Sequence, residues 1–515
     1  MPFPYPGVRR LLDIPPSWEN RPCLISAAGR LSFAAVREGM LRVAGWLSGR
    51  DAGIGDCVAI CLPKCLESVL VIYGIHATGA AYVPLHFGAT AHQLRESLRT
   101  IQPRLFITTP EVAARLQASA QPGKDWHIAT FDPAPNGNGL ELLLKGITPA
   151  RQIPARGPRD LAAVMLTSGS TGVPKGVMRG HDSVPLLSWL APGEILPEER
   201  FISTSALNYT SSHDVFLPLI GGCSIYLASE REAMFPDRIV GILAAEQITS
   251  WVTTATALRL LLENGALQRH DLGALRRVRI AGEPLQPDLL RRVMTAMQGA
   301  AFTNVYGATE AATMLCYEVP RPFPEAMTAV PLGKPSGNFE VRLCDERGDA
   351  VPDGEIGEIC AVGGPLMLGY WRDPALTQSR RLPGLPESCR TGDFGRRGRD
   401  GLIYSAGRAD DVVKIRGHRL DLGAVETALC AHARVREAAA FAMNRPDGET
   451  CVRAVVLVQG EPVPEEELRL LCSERLPVFA RPAHIIQLRD FPLLSTGKID
   501  RTALRALLDT SAAET

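Results

Sequence analysis

The sequence predicts an α/β protein: a large N-terminal domain of layered α/β subdomains with a β-rich subdomain, followed by a small α+β C-terminal domain. Three observations lead there. At 515 residues the chain exceeds what one core holds, since cores stop growing near roughly 250–300 residues. Short apolar runs alternate with helical patterns as far as Val305, the rhythm of a largely parallel sheet. From Phe339 onward, short strands and glycine-rich turns such as Gly354–Gly357 and Gly363–Gly369 replace that rhythm.

In order along the chain, Val58–Leu62 reads as a strand, Glu67–Ala77 as a helix, and Ala81–Val83 and Leu105–Thr108 as strands. The apolar run Leu161–Leu166 is the next strand. The alternation then resumes with helix Asp237–Glu246, strand Trp251–Thr253, helix Leu258–Asn264, strand Val278–Ala281, helix Asp288–Met297 and strand Phe302–Val305. After Gly407–Asp411 a new α+β pattern begins. It has strand Val412–Ile415, a helix near Leu422–Ala433, strand Cys451–Val458, helix Glu465–Cys472 and strand Ile485–Leu488. In parallel sheets, ligands bind beyond the carboxyl ends of the strands, and the chemically informative segments fall there.

Composition excludes several classes. With 55 basic and 55 acidic residues the net charge is zero, so no nucleic-acid footprint is present. No apolar run is long enough to span a bilayer, and the first ten residues lack the apolar core of a signal peptide. The twelve cysteines are scattered, which fits a reducing cytoplasm. Cys57, Cys61 and Cys65 match no common zinc or iron–sulfur spacing, and the first two sit in an apolar run, so they read as buried free thiols.

Leu161–Leu166 runs straight into Thr167-Ser168-Gly169-Ser170-Thr171-Gly172-Val173-Pro174-Lys175-Gly176. Glycines let backbone N–H groups approach phosphate oxygens, hydroxyls donate further hydrogen bonds, and a lysine adds charge. A flexible Ser/Gly turn is the plainer alternative, but it does not account for so many hydroxyls directly after a buried strand. The spacing is not that of the common NTPase loop, which needs Gly-x4-Gly-Lys-Ser/Thr opening a helix. Here Lys175 comes three residues after Gly172, and Pro174 disfavours a helix.

This loop resembles the signature of the acyl-adenylating (AMP-forming) superfamily, which includes acyl-CoA synthetases, luciferases and adenylation domains of nonribosomal peptide synthesis. Further segments follow in the family's order. In Asn304-Val305-Tyr306-Gly307-Ala308-Thr309-Glu310, the resemblance implies that Tyr306 stacks on adenine and Asn304 reaches its edge. Thr309 then serves phosphate and Glu310 binds Mg2+, a hard cation suited to a carboxylate. In Arg390-Thr391-Gly392-Asp393, Asp393 accepts from the ribose hydroxyls. In Gly407–Gly417, Arg408 contacts nucleotide and Asp410 is the hinge between domains, here 1–409 and 410–515. In Leu494-Ser495-Thr496-Gly497-Lys498, Lys498 is the catalytic lysine. A cation is what this step needs, because a carboxylate and an α-phosphate must approach each other. A surface turn at Asp393, a salt bridge at Arg408 and a solvated turn at Lys498 are the structural alternatives.

The implied chemistry joins a carboxylic acid to AMP from ATP, releases pyrophosphate, and then passes the acyl group to a thiol. Val413–Gly423 resembles the peptide-synthetase branch, which points to the phosphopantetheine arm of a carrier protein. No carrier module follows Lys498, so a stand-alone enzyme loading a separate carrier protein is expected. Coenzyme A is the other acceptor, and a catalytically silent scaffold is the other functional class.

By the same placement, Tyr209, Thr210, His213, Val252, Arg279, Ala281, Val305, Thr313 and Met314 line the acid pocket. Amino-acid-activating relatives carry an aspartate where Tyr209 stands. Without that anion a buried ammonium group is uncompensated, so a standard α-amino acid is not the expected substrate. Arg279 interrupts an apolar strand. It either pairs with a second acidic group on the substrate or points to solvent from an edge.

Overall fold

The computed structural model describes residues 7–118, 127–133, 139–167, 174–183, 195–337, 339–408, 412–415, 418–444, 450–476, 480–493 and 499–510. The chain divides into two compact units. The first comprises Met1–Val341 and Ala361–Cys389, and the second Arg342–Cys360 and Arg390–Thr515.

The first unit is built on two α/β sheets. The nine-stranded sheet runs, in spatial order, Lys334–Pro335, Ala312–Glu318, Ala301–Ala308, Arg277–Ala281, Ser250–Thr253, Arg200–Ser203, Ser224–Leu227, Pro22–Ser26 and Gly29–Ser32. Its centre is parallel, as the sequence alternation predicts. Both edges are antiparallel hairpins, which the alternation does not announce. The seven-stranded sheet runs Gly369–Tyr370, Lys175–Gly180, Leu161–Thr167, Ala81–Pro84, Cys57–Cys61, Leu105–Thr108 and Ile128–Thr130.

Helices Phe33–Ser48 and Leu66–Thr78 share a core with strands from both sheets, including Leu24, Val58, Tyr82, Phe201 and Ile225. All thirteen residues of Leu66–Thr78 are buried, because this helix meets protein on every side. Residues such as Val69, Ile72 and Ile75 each contribute about 1.5–3 kcal/mol through burial. A Cβ at Gly74 would sit 2.2 Å from Val43 Cγ1, so the crossing of these two helices depends on that missing side chain. Helices Pro236–Ala245, Ala255–Glu263 and Pro287–Ala296 cover the other face of the nine-stranded sheet. Cys57 and Cys61 are buried free thiols, each pushed up to about 12 by burial.

In the second unit, most of a four-stranded sheet is formed by Glu340–Cys344, Ile356–Val362, Ser388–Arg397 and Ile403–Arg408. A three-stranded sheet follows: Val435–Asn444, Thr450–Val458 and His484–Leu488. Helices Leu422–Cys430 and Glu465–Arg475 pack on one face, and Arg501–Thr510 on the other. Among the described residues no helix is long and apolar enough to cross a membrane.

Candidate functional site

The predicted phosphate loop closes a β-hairpin. Leu161–Thr167 pairs antiparallel with Lys175–Gly180, with Thr167 opposite Lys175. The segment after Pro174 is therefore a strand, in keeping with the sequence spacing. Thr167 and Lys175 flank the loop mouth, both half-buried, and the Thr167 hydroxyl donates to the Lys175 carbonyl at 3.4 Å. Ser168, Gly169, Ser170, Thr171 and Gly172 lie outside the described residues.

The second predicted segment ends strand Ala301–Ala308 and turns into Ala312–Glu318. A Cβ on Gly307 would lie 2.1 Å from the Ala312 carbonyl oxygen, so the tight turn requires glycine. Asn304 is buried, and its amide nitrogen donates to the Pro331 carbonyl at 2.7 Å. Tyr306 is half-buried. The backbone of Thr309 is held by Arg179, whose Nη1 donates to the Thr309 carbonyl at 2.8 Å. The Glu310 carboxylate accepts from the Tyr370 hydroxyl at 2.8 Å through Oε1. Its other oxygen carries no hydrogen bond among the described residues, and a hard, half-buried oxygen donor of this kind fits Mg2+.

The predicted acid-binding segment is a 3-10 turn, Thr210–Phe216, which follows Tyr209. The Ser212 hydroxyl closes it by donating to the Leu207 and Tyr209 carbonyls at 2.8 and 2.7 Å. This brings the Thr210 hydroxyl 3.3 Å from that of Thr309, so the predicted acid turn meets the predicted nucleotide turn. His213 is buried against Tyr82 and Phe216, and neither imidazole nitrogen has a partner among the described residues. Burial, helped by the Arg179 charge, pulls the ring down to about 3, so it is neutral.

Strand register places the remaining pocket candidates. Val252 is opposite Arg279, and Ala281 is opposite Val305. Val278, Ile280 and Trp251 point into the helix-covered core. By alternation, Val252, Arg279, Ala281 and Val305 therefore share the other face. Arg279 is only 3% exposed on a central strand and donates to Ser250 Oγ at 2.9 Å, which rules out the solvent-pointing alternative. Thr313 and Met314 follow on the neighbouring strand, half-buried and fully buried respectively.

In the second unit, Asp393 pairs in register with Arg408. The turn before it is held by Glu358, which accepts from the Gly392 N–H at 3.0 Å and from Arg390 at 2.6 Å. The Asp393 N–H donates to the Thr391 hydroxyl at 3.0 Å. Asp410 and Lys498 lie outside the described residues. The ends of the lysine loop are nonetheless pinned: Leu493 and Ile499 form an antiparallel bridge, and the Asp500 N–H donates to the Pro492 carbonyl at 2.8 Å.

Three supporting residues are absent from the sequence-based site. Arg179 is fully buried, and its signal was a charge in the apolar run after the phosphate loop. Tyr370 has no local signal. Lys64, 3% exposed, donates to the Ser203 and Ser205 carbonyls, each at 2.8 Å, at the entry to the acid segment. Burial pulls its ammonium down to about 8 and pushes Asp214, which it faces electrostatically, up to about 7.

Two family models match the chain: AMP-binding enzyme over residues 15–371, and the AMP-binding enzyme C-terminal domain over residues 424–498. The chain is 31% identical over 503 residues to phenyloxazoline synthase MbtB of Mycobacterium tuberculosis, covering 95% of this chain and 34% of that one. It is 29% identical to gramicidin S synthase 2 of Brevibacillus brevis, covering 92% of this chain and 10% of that one. The chain thus spans about a third or less of the length of these relatives. Among solved structures, ATP-bound MatB from Rhodopseudomonas palustris superposes with a TM-score of 0.85 at 26% identity, covering 97% of this chain and 98% of that one. With its loop, turns and sheets in this arrangement, the chain belongs to the AMP-binding, adenylate-forming enzyme family.

Proposed function

We propose that the protein activates a carboxylic acid as its acyl-adenylate, releasing pyrophosphate, and then transfers the acyl group to the phosphopantetheine thiol of a carrier protein. The observation that carries this reading is the 3.3 Å contact between the Thr210 and Thr309 hydroxyls. It joins the acid-facing turn to the nucleotide turn, where a carboxylate has to meet an α-phosphate. Thr167, Lys175 and the loop between them hold the ATP phosphates, Tyr306 and Asn304 the adenine, and Asp393 the ribose, with Arg408 as a further nucleotide contact. Magnesium, held by Glu310, would neutralise phosphate charge. Lys498 screens the approaching anions, and residues 410–515 move about Asp410 between the two half-reactions.

Tyr209 in place of an anion supports an acid without a free α-ammonium group. The carrier acceptor is supported by the Val413–Gly423 segment and by the likeness to the two synthases. The test is acid-dependent exchange of labelled pyrophosphate into ATP, across aryl, hydroxy, β-amino and dicarboxylic acids. Exchange with at least one of them is expected, and Lys498→Ala should lower it about 10²–10³-fold. No exchange with any acid from folded protein would reject the enzymatic reading. Efficient thioester formation on coenzyme A, with none on carrier proteins, would reject the acceptor.

A further inference from the structure

We infer that Tyr370 and Arg179 are positioning residues that fix the Thr309–Glu310 turn against the phosphate hairpin, and so set the coupling between magnesium and ATP. The inference rests on the reading of Glu310 as the magnesium-binding residue.

The observations are all within the first unit. Residues 365–371 form a strap lying along the exit strand of the phosphate hairpin. The Leu368 N–H donates to the Met178 carbonyl at 2.9 Å, and the Trp371 N–H to the Gly176 carbonyl at 2.7 Å. Tyr370 pairs in register with Val177. From the same strap, the Met367 N–H donates to the Glu310 carbonyl at 2.8 Å, and the Tyr370 hydroxyl donates to Glu310 Oε1 at 2.8 Å. Glu310 is thus gripped by backbone and side chain from one short segment that also bonds to the hairpin. A Cβ on Gly176 would lie 2.8 Å from Val164 Cγ1 and 3.0 Å from Trp371 Cβ, so hairpin and strap are already in close contact.

Arg179 closes the same assembly from the hairpin side. Its guanidinium is fully buried and donates to the carbonyls of Thr309 at 2.8 Å, Ser183 at 3.1 Å and Pro365 at 3.5 Å. It therefore ties together the hairpin exit, the nucleotide turn and the start of the strap. A planar fork can reach three carbonyls at once, whereas an ammonium group is a point donor. With one Glu310 oxygen taken by Tyr370, the other is left for a cation in a fixed orientation. Neither residue touches substrate in this account; both act through Glu310 and Thr309.

The experiment measures ATP affinity of the full chain by calorimetry, with saturating Mg2+ and with chelator, and takes the ratio as the metal coupling. Tyr370→Phe removes one hydrogen bond to a charged group and is expected to lower the ratio about tenfold, leaving the thermal midpoint near the parent's. Arg179→Lys should lower it too, while retaining more of it than Arg179→Met. Glu310→Gln serves as the reference and should abolish most of the coupling. Loss of coupling in Glu310→Gln with a parental ratio in both Tyr370→Phe and Arg179→Lys would overturn the positioning role. A parental ratio in Glu310→Gln would instead overturn the assignment of Glu310 on which the inference rests.

Discussion

The proposed nucleotide turn and the proposed acid-binding turn meet at Thr309 and Thr210, yet they are held in different ways. Thr309–Glu310 is fastened by three bonds: the Met367 N–H to the Glu310 carbonyl, Arg179 to the Thr309 carbonyl, and the Tyr370 hydroxyl to the Glu310 carboxylate. The acid turn rests on side chains whose bonding capacity is only partly used. Both His213 nitrogens and, beside the turn, Thr253 Oγ1 are buried without a partner among the described residues. The difference teaches a division of labour. The proposed nucleotide side is held by bonds that are made, two of them supplied by Arg179 and Tyr370, so its geometry depends on those two side chains. The part that faces the variable reactant is built from replaceable groups, at a cost in stability.

That contrast gives an order of mutational effects. Arg179→Met leaves three carbonyls, that of Ser183 buried and those of Thr309 and Pro365 partly so, without this donor and should cost the most, about 3–5 kcal/mol in urea unfolding. A parental midpoint would break the comparison, because the nucleotide side would then not be the better fastened one. Lys64→Met should cost less, about 2 kcal/mol at pH 6, because Asp214 can take up a proton in place of the lost cation. Asp214 has its carboxyl raised from 3.8 to about 7, so the folded state binds the extra proton and stability falls as pH rises through that window. Without Lys64 the window extends above 7. The deficit of the variant should therefore grow by up to about 1.4 kcal/mol per pH unit there. A deficit independent of pH would show that the two groups are not coupled.

The neutral imidazole on the acid side acts in the opposite direction. His213 is lowered from 6.5 to about 3, so the unfolded chain binds more protons in that range, and stability is lost as pH falls below 6.5. His213→Phe should keep about 1–2 kcal/mol more of its neutral-pH stability at pH 5 than the parent does. Parallel pH profiles for the two proteins would remove His213 as the source. Smallest of all, Thr210→Val loses one hydroxyl contact. It should raise the KM for the acid about fivefold with the KM for ATP unchanged; equal rises in both would mean the two turns are not separable.

The alternating strands and helices of the first unit were legible because each is a contiguous run with one period. Strand Trp251–Thr253 and helix Asp288–Met297 match the observed Ser250–Thr253 and Pro287–Ala296 within a few residues. Strand Val435–Asn444 was not legible. Its alanine-rich run lacks the β-branched alternation of a strand, and long-range pairing with Thr450–Val458 sets its structure instead. Lys175–Gly180 was hidden in the same way, by its glycines and its arginine. The site divides along similar lines. Its loops are contiguous motifs and could be read directly. Arg179 meets Thr309 across 130 positions and Lys64 meets Ser203 across 139, separations that no local pattern encodes.

The phosphate hairpin has one further consequence. Where a phosphate loop opens a helix, the helix macrodipole lends about half a positive charge to the anion through the backbone itself. Here the loop exits into Lys175–Gly180, and strands carry only a small net dipole. In the proposed ATP site, this hairpin adds no helix dipole to the charge that Lys175 brings at the loop mouth. Side-chain charge is screened by salt, so ionic strength becomes a lever on the proposed nucleotide affinity.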